Sequence, residues 1–178
     1  MNAKAALLLE LTEGLGAGAV VVEVGTMRFG HEAPSDGAST LYLARRAKER
    51  GWKFVSIDND EAAFLNAAKV LRVHDLQAVA DLRLDDGAIV LANLIGPIDF
   101  LYLDGAADPG EALAQFEAAE HRIAPWAVVA IDDIQEIRPG EPLGKGERLL
   151  PALEARGWTV EVRPTEPGYA MAICRRLS

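Results

Sequence analysis

Four apolar runs in this 178-residue chain each end in a short polar cluster, and those clusters hold most of the residues able to do chemistry. Ala19 to Val24 ends in Glu23-Val24-Gly25, and Lys53 to Ile57 is followed by Asp58-Asn59-Asp60. Ile98 to Leu103 is followed by Asp104-Gly105, and Ala127 to Ile131 by Asp132-Asp133. Carboxylates accept hydrogen bonds from hydroxyls, bind hard cations through oxygen and take up protons when their pKa is suitably placed. A glycine directly after a strand lets the backbone turn tightly and approach a ligand closely. In α/β nucleoside sites a carboxylate at the end of the second strand accepts the ribose hydroxyls. Asp58 has that position; its other use is as a helix N-cap, a role that Asp60 fills equally well.

Other reactive side chains are few. His31 is the preferred proton acceptor by residue type, the alternative being an exposed loop histidine. His74 and His121 lie at the borders of elements and suit local hydrogen bonds. Cys174 is the single cysteine, which excludes an intrachain disulfide or a multi-cysteine zinc site and points to a reducing, cytoplasmic compartment. Neither a nucleophile elbow with Ser-His-Asp partners nor a Gly-x-x-x-x-Gly-Lys-Ser/Thr phosphate loop is present. The formal net charge of −9 repels phosphate backbones and anionic membranes, and the basic residues Arg45, Arg46, Lys48 and Arg50 read as a solvated helix face.

The elements that must position these groups alternate along the chain. Val- and Ile-rich runs take turns with Ala- and Leu-rich stretches of helical spacing, the pattern of β-α-β units feeding a parallel sheet. A leading helix is expected over Ala3 to Leu15, within residues 1–16, followed by a central strand at Ala19 to Val24 that is buried on both faces. After the loop Gly25 to Asp36, helices are expected at Gly37 to Arg50 and Glu61 to Leu71 on either side of the strand Lys53 to Ile57. A weak third strand reads over Val73 to Ala80, and a helix over Asp85 to Leu94. Ile98 to Leu103, Pro109 to Ile123 and Ala127 to Ile131 read as strand, helix and strand. The turn-rich segment Gln135 to Gly146 precedes a helix at Leu149 to Ala155 and a closing hairpin, Trp158 to Arg163 with Tyr169 to Arg175. With no linker, repeat or low-complexity tract, residues 1–178 read as one domain.

Five segments carry a resemblance: VEVGT at Val22 to Thr26, GASTLYLA at Gly37 to Ala44, VSIDND at Val55 to Asp60, DFLYLDGA at Asp99 to Ala106 and VVAIDDI at Val128 to Ile134. In order and separation they are similar to the class I S-adenosylmethionine-dependent methyltransferases, in particular the small O-methyltransferase-like branch. The resemblance implies a Rossmann-like three-layer sandwich around a mostly parallel seven-stranded sheet with an antiparallel last strand. It also implies O-methyl transfer from S-adenosylmethionine to a small-molecule acceptor. Glu23, Gly25 and Thr26 would then border the methionine part of the cofactor, Ser39 would support the loop holding it, and Asp58 with Asn59 would meet the ribose. Asp81 would reach the adenine amino group with Leu82 beside the ring, and Asp104 would lie near the transferred methyl as a catalytic residue with His31. Metal-dependent catechol-type relatives hold a divalent ion after the fourth and fifth strands, which implies a magnesium or calcium site at Asp104, Asp132 and Asp133. The alternative is that Asp132 caps a turn while Asp133 faces solvent.

The sequence departs from the family pattern by inserting Met27 to Asp36 between the first glycine and the helix opening. Two other readings stay open: a dinucleotide-dependent oxidoreductase, which lacks the full Gly-x-Gly-x-x-Gly fingerprint here, and a binding protein that keeps the fold without catalysis. The expected partners are a small-molecule acceptor, neither nucleic acid nor membrane, and a second copy of the chain through the apolar leading helix.

Overall fold

The structure, a computed structural model, describes residues 3–28, 38–106, 108–134 and 144–177. Most of the Met27 to Asp36 insertion, with His31, lies outside the described residues, as does most of the Gln135 to Gly146 segment. The elements run α1 (Ala3–Thr12), β1 (Val20–Val24), α2 (Ser39–Arg50), β2 (Lys53–Asp58), α3 (Glu61–Val73), β3 (Ala80–Leu84) and α4 (Gly87–Asn93). They continue with β4 (Ile98–Leu103), α5 (Pro109–Glu120), β5 (Ile123–Ile131), α6 (Gly146–Ala155), β6 (Trp158–Glu166) and β7 (Tyr169–Arg176). The strands form one seven-stranded sheet in the order β3-β2-β1-β4-β5-β7-β6. β7 runs antiparallel to both of its neighbours, and the pairings among β1 to β5 are parallel. The Rossmann-like three-layer sandwich implied by the resemblance is therefore the fold observed.

Alternation along the strands divides the core. Val22, Val24, Leu101 and Leu103 face α4, α5 and α6, packing against Leu91, Phe116 and Leu149. Val21, Phe100, Tyr102 and Ala130 face the other way, against Leu8 of α1, Leu43 of α2 and Leu71 of α3. β1 and β4 are the most deeply covered strands because both faces carry helices, which is why their sequences read as continuous apolar runs. Leu7, Leu8 and Leu11 of α1 are buried in the chain's own core. Much of the apolar character of that helix is thus satisfied internally, while Ala3 and Ala6 are exposed and Leu9 is half-buried. On the basic face of α2, Arg45 and Lys48 are exposed, whereas Arg46 and Arg50 are half-buried and both paired to Glu13.

Parallel strands joined by helices bring the helix N-termini to the carboxyl edge of the sheet. Three of them are capped by aspartates: Asp60 on α3, Asp86 on α4 and Asp108 on α5. At α5 the Asp108 carboxylate accepts from the N–H groups of Gly110 and Glu111 at 2.7 and 3.0 Å, and Pro109 occupies a position that needs no donor. Asp108→Ala is expected to cost about 1 kcal/mol. Thermal denaturation should show a fall of roughly 2–4 °C, with no change in the far-UV spectrum.

Candidate active site

The sheet order reverses at β1, which has β2 on one side and β4 on the other, and in open α/β sheets ligands bind at the carboxyl edge beside such a switch point. The strand ends lie level there. The Gly25 N–H donates to the Ile57 carbonyl at 2.8 Å, that of Asp104 to Val24 at 2.8 Å, and that of Asp132 to Leu103 at 3.0 Å. The four polar clusters of the sequence thus share one edge. Gly25 has φ +95°, and a Cβ there would lie 2.5 Å from the Gly105 nitrogen. The space that the missing side chain leaves is filled by the Gly105 backbone, so the glycine serves the approach of two loops and not a side-chain-sized gap for a ligand.

Asp58 is half-buried beside that turn. Its Oδ2 accepts from the Thr26 N–H at 2.7 Å and the Thr26 hydroxyl at 3.1 Å, and its Oδ1 accepts from the Asp60 N–H at 2.9 Å. Asp60, not Asp58, caps α3, accepting from the N–H groups of Ala62 and Ala63 at 2.8 and 3.4 Å. Asn59 is exposed between them. Asp58 is therefore free of capping duty and is tied to the loop after β1.

Beneath this loop Glu23 is fully buried. Its Oε2 accepts from the Ser56 hydroxyl at 2.6 Å and the Thr40 hydroxyl at 2.7 Å. Thr40 Oγ1 in turn accepts from the Met27 N–H at 2.9 Å, which couples Glu23 to the start of the inserted loop. Burial pushes the Glu23 carboxyl up to about 7, against the opposing pull of the Ser39, Ser56 and Thr40 hydroxyls. Glu23 and Ser39 are buried and offer no exposed surface.

On the far side of the crevice Asp104, Asp132 and Asp133 each offer a carboxylate oxygen within 4.8 Å of the others. Lys4 of α1 and Lys145, just before α6, reach into this group. Lys145 Nζ donates to Asp104 Oδ1 at 3.0 Å and to the Asp104 carbonyl at 2.7 Å, and lies 3.8 Å from Asp133 Oδ2. Lys4 Nζ pairs with Asp104 Oδ2 at 3.0 Å and more closely with Asp132 Oδ2. The Tyr102 hydroxyl donates to Asp132 Oδ2 at 3.0 Å, and Lys4 sits 5.7 Å above the Tyr102 ring. The two ammonium groups hold the Asp104 carboxyl well below the usual range despite its burial, whereas burial beside Asp104 pushes Asp132 up. An acid held that low is a poor proton acceptor at neutral pH, which argues against Asp104 as a general base.

A family model for a methyltransferase domain matches residues 34–134. The chain belongs to this family. Among solved structures, the methyltransferase is similar to a protein described as an rRNA methylase from Clostridium thermocellum, with a TM-score of 0.76, 13% identity, and 99% of this chain and 98% of that one covered. It is similar to the O-methyltransferase TomG from Streptomyces achromogenes, involved in tomaymycin synthesis and solved with S-adenosylmethionine (TM-score 0.72, 20% identity, 99% and 79% covered). An O-methyltransferase from Bacillus cereus, solved with S-adenosylhomocysteine, is a further neighbour (0.69, 19%, 97% and 78%). At these identities the likeness bears on the fold, and it bears out the resemblance read from the sequence. A search of curated proteins gives no match.

Several expected site residues of the methyltransferase stand elsewhere. Asp81 and Leu82 do not follow β3 but lie inside it, paired with Val55 and Ser56. Asp81 is exposed and bound to Arg83 at 2.7 Å, while Leu82 packs against the α1 to α3 side of the core. The expected strand was set several residues too early, so these two residues lie within β3 and not after its carboxyl end. Asp85 and Asp86 are the acids that end β3, and Asp86 is the α4 cap. His31 lies outside the described residues. Cys174 is buried as expected, and burial pushes its thiol up to about 12, which leaves it inert.

The three acids implied as a metal site do come together, but the donor set does not fit a divalent ion. Asp104 Oδ1 and Oδ2 and Asp132 Oδ2 are each already bound by an ammonium group, and a divalent ion among them would sit against two cations. Lys4, Lys145 and Tyr102 are the site residues that sequence reasoning missed. The signal available was slight: Tyr102 and Asp104 share one face by strand alternation, and Lys4 opens an otherwise apolar helix.

Proposed function

We propose that this methyltransferase transfers the methyl group of S-adenosylmethionine to an oxygen of a small-molecule acceptor. The observation that carries the reading is Asp58, released from helix capping and anchored to the turn at Gly25 beside the point where strand order reverses. A carboxylate has roughly four lone-pair positions, and the bonds from Thr26 and Asp60 leave about one of them open. Asp58 would take one ribose hydroxyl on that open position, and a second in place of the Thr26 hydroxyl. The cofactor would supply a methyl carbon on a positively charged sulfur: the acceptor oxygen forms its bond to that carbon as the carbon–sulfur bond breaks to leave a neutral thioether, and the hydroxyl proton would pass to Asp132 or Asp133 of the facing cluster. The chain's contribution is positioning: Gly25 and Gly105 set the floor of the crevice, and Glu23 through Thr40 fixes the loop above it.

The acceptor side is assigned to Asp104, Asp132 and Asp133 with their lysines, where a hydroxyl finds both donors and acceptors. Support for an oxygen acceptor comes from the O-methyltransferase neighbours. An RNA acceptor is the second reading, favoured by the rRNA methylase neighbour of nearly equal extent. The acidic edge formed by Asp58, Asp60, Asp85, Asp86, Asp108 and the cluster, with the net charge of −9, disfavours phosphate backbones.

Transfer of radiolabelled methyl from S-adenosylmethionine to a panel of phenols, catechols and hydroxy acids, with ribosomal RNA alongside, tests the acceptor. Label on a small hydroxyl compound is expected, and label on RNA alone contradicts the proposal. Asp58→Ala should weaken binding of S-adenosylhomocysteine by roughly tenfold to a hundredfold, equivalent to about 1.5–3 kcal/mol for hydrogen bonds to a charged acceptor. Asp60→Ala, which removes only a cap, should leave that affinity within about threefold while lowering stability by about 1 kcal/mol.

A further inference from the structure

We propose that Lys4 and Lys145 together take the place of a divalent cation between Asp104, Asp132 and Asp133, so that the acceptor side of the site is electrostatically complete without metal. Two ammonium groups carry the charge of one magnesium or calcium ion. They come from segments remote from the strand ends, Lys4 from α1 and Lys145 from the start of α6, yet both turn inward to the same carboxylates. Their side chains are 16% and 9% exposed, and that of Asp132 is 2% exposed. Buried charges persist when they are paired and hydrogen-bonded, and this group satisfies that condition internally. Lys145 spans Asp104 and Asp133, Lys4 spans Asp104 and Asp132, and the Tyr102 hydroxyl closes the arrangement on Asp132.

Both oxygens of Asp104 and Oδ2 of Asp132 are held by the lysines, and Lys145 stands 3.8 Å from Asp133 Oδ2. Metal binding through those oxygens would have to displace two paired ammonium groups, or accept three cationic centres side by side. An acceptor hydroxyl reaching the cluster therefore meets N–H donors and carboxylate acceptors and no Lewis acid. The role of the cluster in catalysis rests on the proposed function; the assignment of its cations does not.

Calorimetric titration of the purified chain with magnesium chloride and calcium chloride, without cofactor or acceptor, tests this directly. Wild-type protein is expected to show no saturable uptake at millimolar concentrations. The double variant Lys4→Met/Lys145→Met, which uncovers the three carboxylates, is expected to take up calcium or magnesium at least about tenfold more tightly and to gain thermal stability from the ion. Saturable uptake by wild type that Asp132→Asn abolishes would overturn the proposal. So would a folded double variant that takes up no ion. The wild-type titration decides even if the double variant fails to fold. Loss of the cofactor reading would appear as absent S-adenosylhomocysteine binding, a separate result.

Discussion

Replacing Gly25 with alanine is expected to cost the fold about 3–5 kcal/mol, combining the strain of a left-handed backbone with overpacking. The new Cβ would stand 2.5, 2.7 and 2.8 Å from the Gly105 N, Gly105 Cα and Asp104 C atoms, all of them backbone. No side-chain rotation relieves such a contact. The loops after β1 and β4 would have to separate, and with them the two halves of the crevice. Gly18→Ala is the matched control: φ there is +81°, but nothing lies within 4 Å of the added carbon. That variant should lose only about 1 kcal/mol. Thermal denaturation should place Gly25→Ala roughly 10 °C or more below wild type and Gly18→Ala within about 4 °C of it. Equal losses would mean that the two loops do not press together.

Glu23 gives the second large effect, read as a function of pH. Its folded-state value, about 7, lies above the ordinary 4.5, because a fully buried carboxylate is poorly solvated. Between those values the folded chain keeps a proton that the unfolded chain releases. The stabilisation is complete below the unfolded value and is lost as pH rises through about 7. One pKa unit corresponds to about 1.4 kcal/mol, so the loss amounts to about 3 kcal/mol. Glu23→Gln, neutral throughout and able to keep its hydroxyl partners, should be less pH-sensitive than wild type by that amount. Denaturant unfolding at several pH values between about 4 and 8 measures it. Asp104, Asp132 and Lys4 also titrate differently on folding, and the difference between the two proteins cancels their part. Parallel curves for wild type and Glu23→Gln would show that burial does not govern the Glu23 proton.

How far this was legible in the residues depended on burial. β1, β2 and β4 lie inside the sheet and read as apolar runs, so the sequence alone places their polar ends on one edge. β3 is an edge strand, ADLRL, with a charge on either side of Leu82 and no apolar run, and lies later than expected, so Asp81 and Leu82 fall inside it and not after it. β5 begins at Ile123, four residues before the expected Ala127, because its register with β4 shifts across the segment holding Pro125 and the exposed Trp126. The Asp58 or Asp60 ambiguity needed hydrogen bonds to resolve, since either aspartate satisfies a cap by spacing. The lysine pairs join residues 100 and 41 positions apart in the chain. No local pattern encodes such contacts, so the acids alone suggested a metal.

The central claim is that the turn at Gly25 and the carboxylate of Asp58 border one cofactor site. A crystal structure grown with S-adenosylhomocysteine tests it most directly. The account predicts ribose hydroxyls on Asp58 and the homocysteine sulfur between Gly25 and the Asp104 cluster. A ligand bound elsewhere, with Asp58 touching only Thr26 and Asp60, would contradict it.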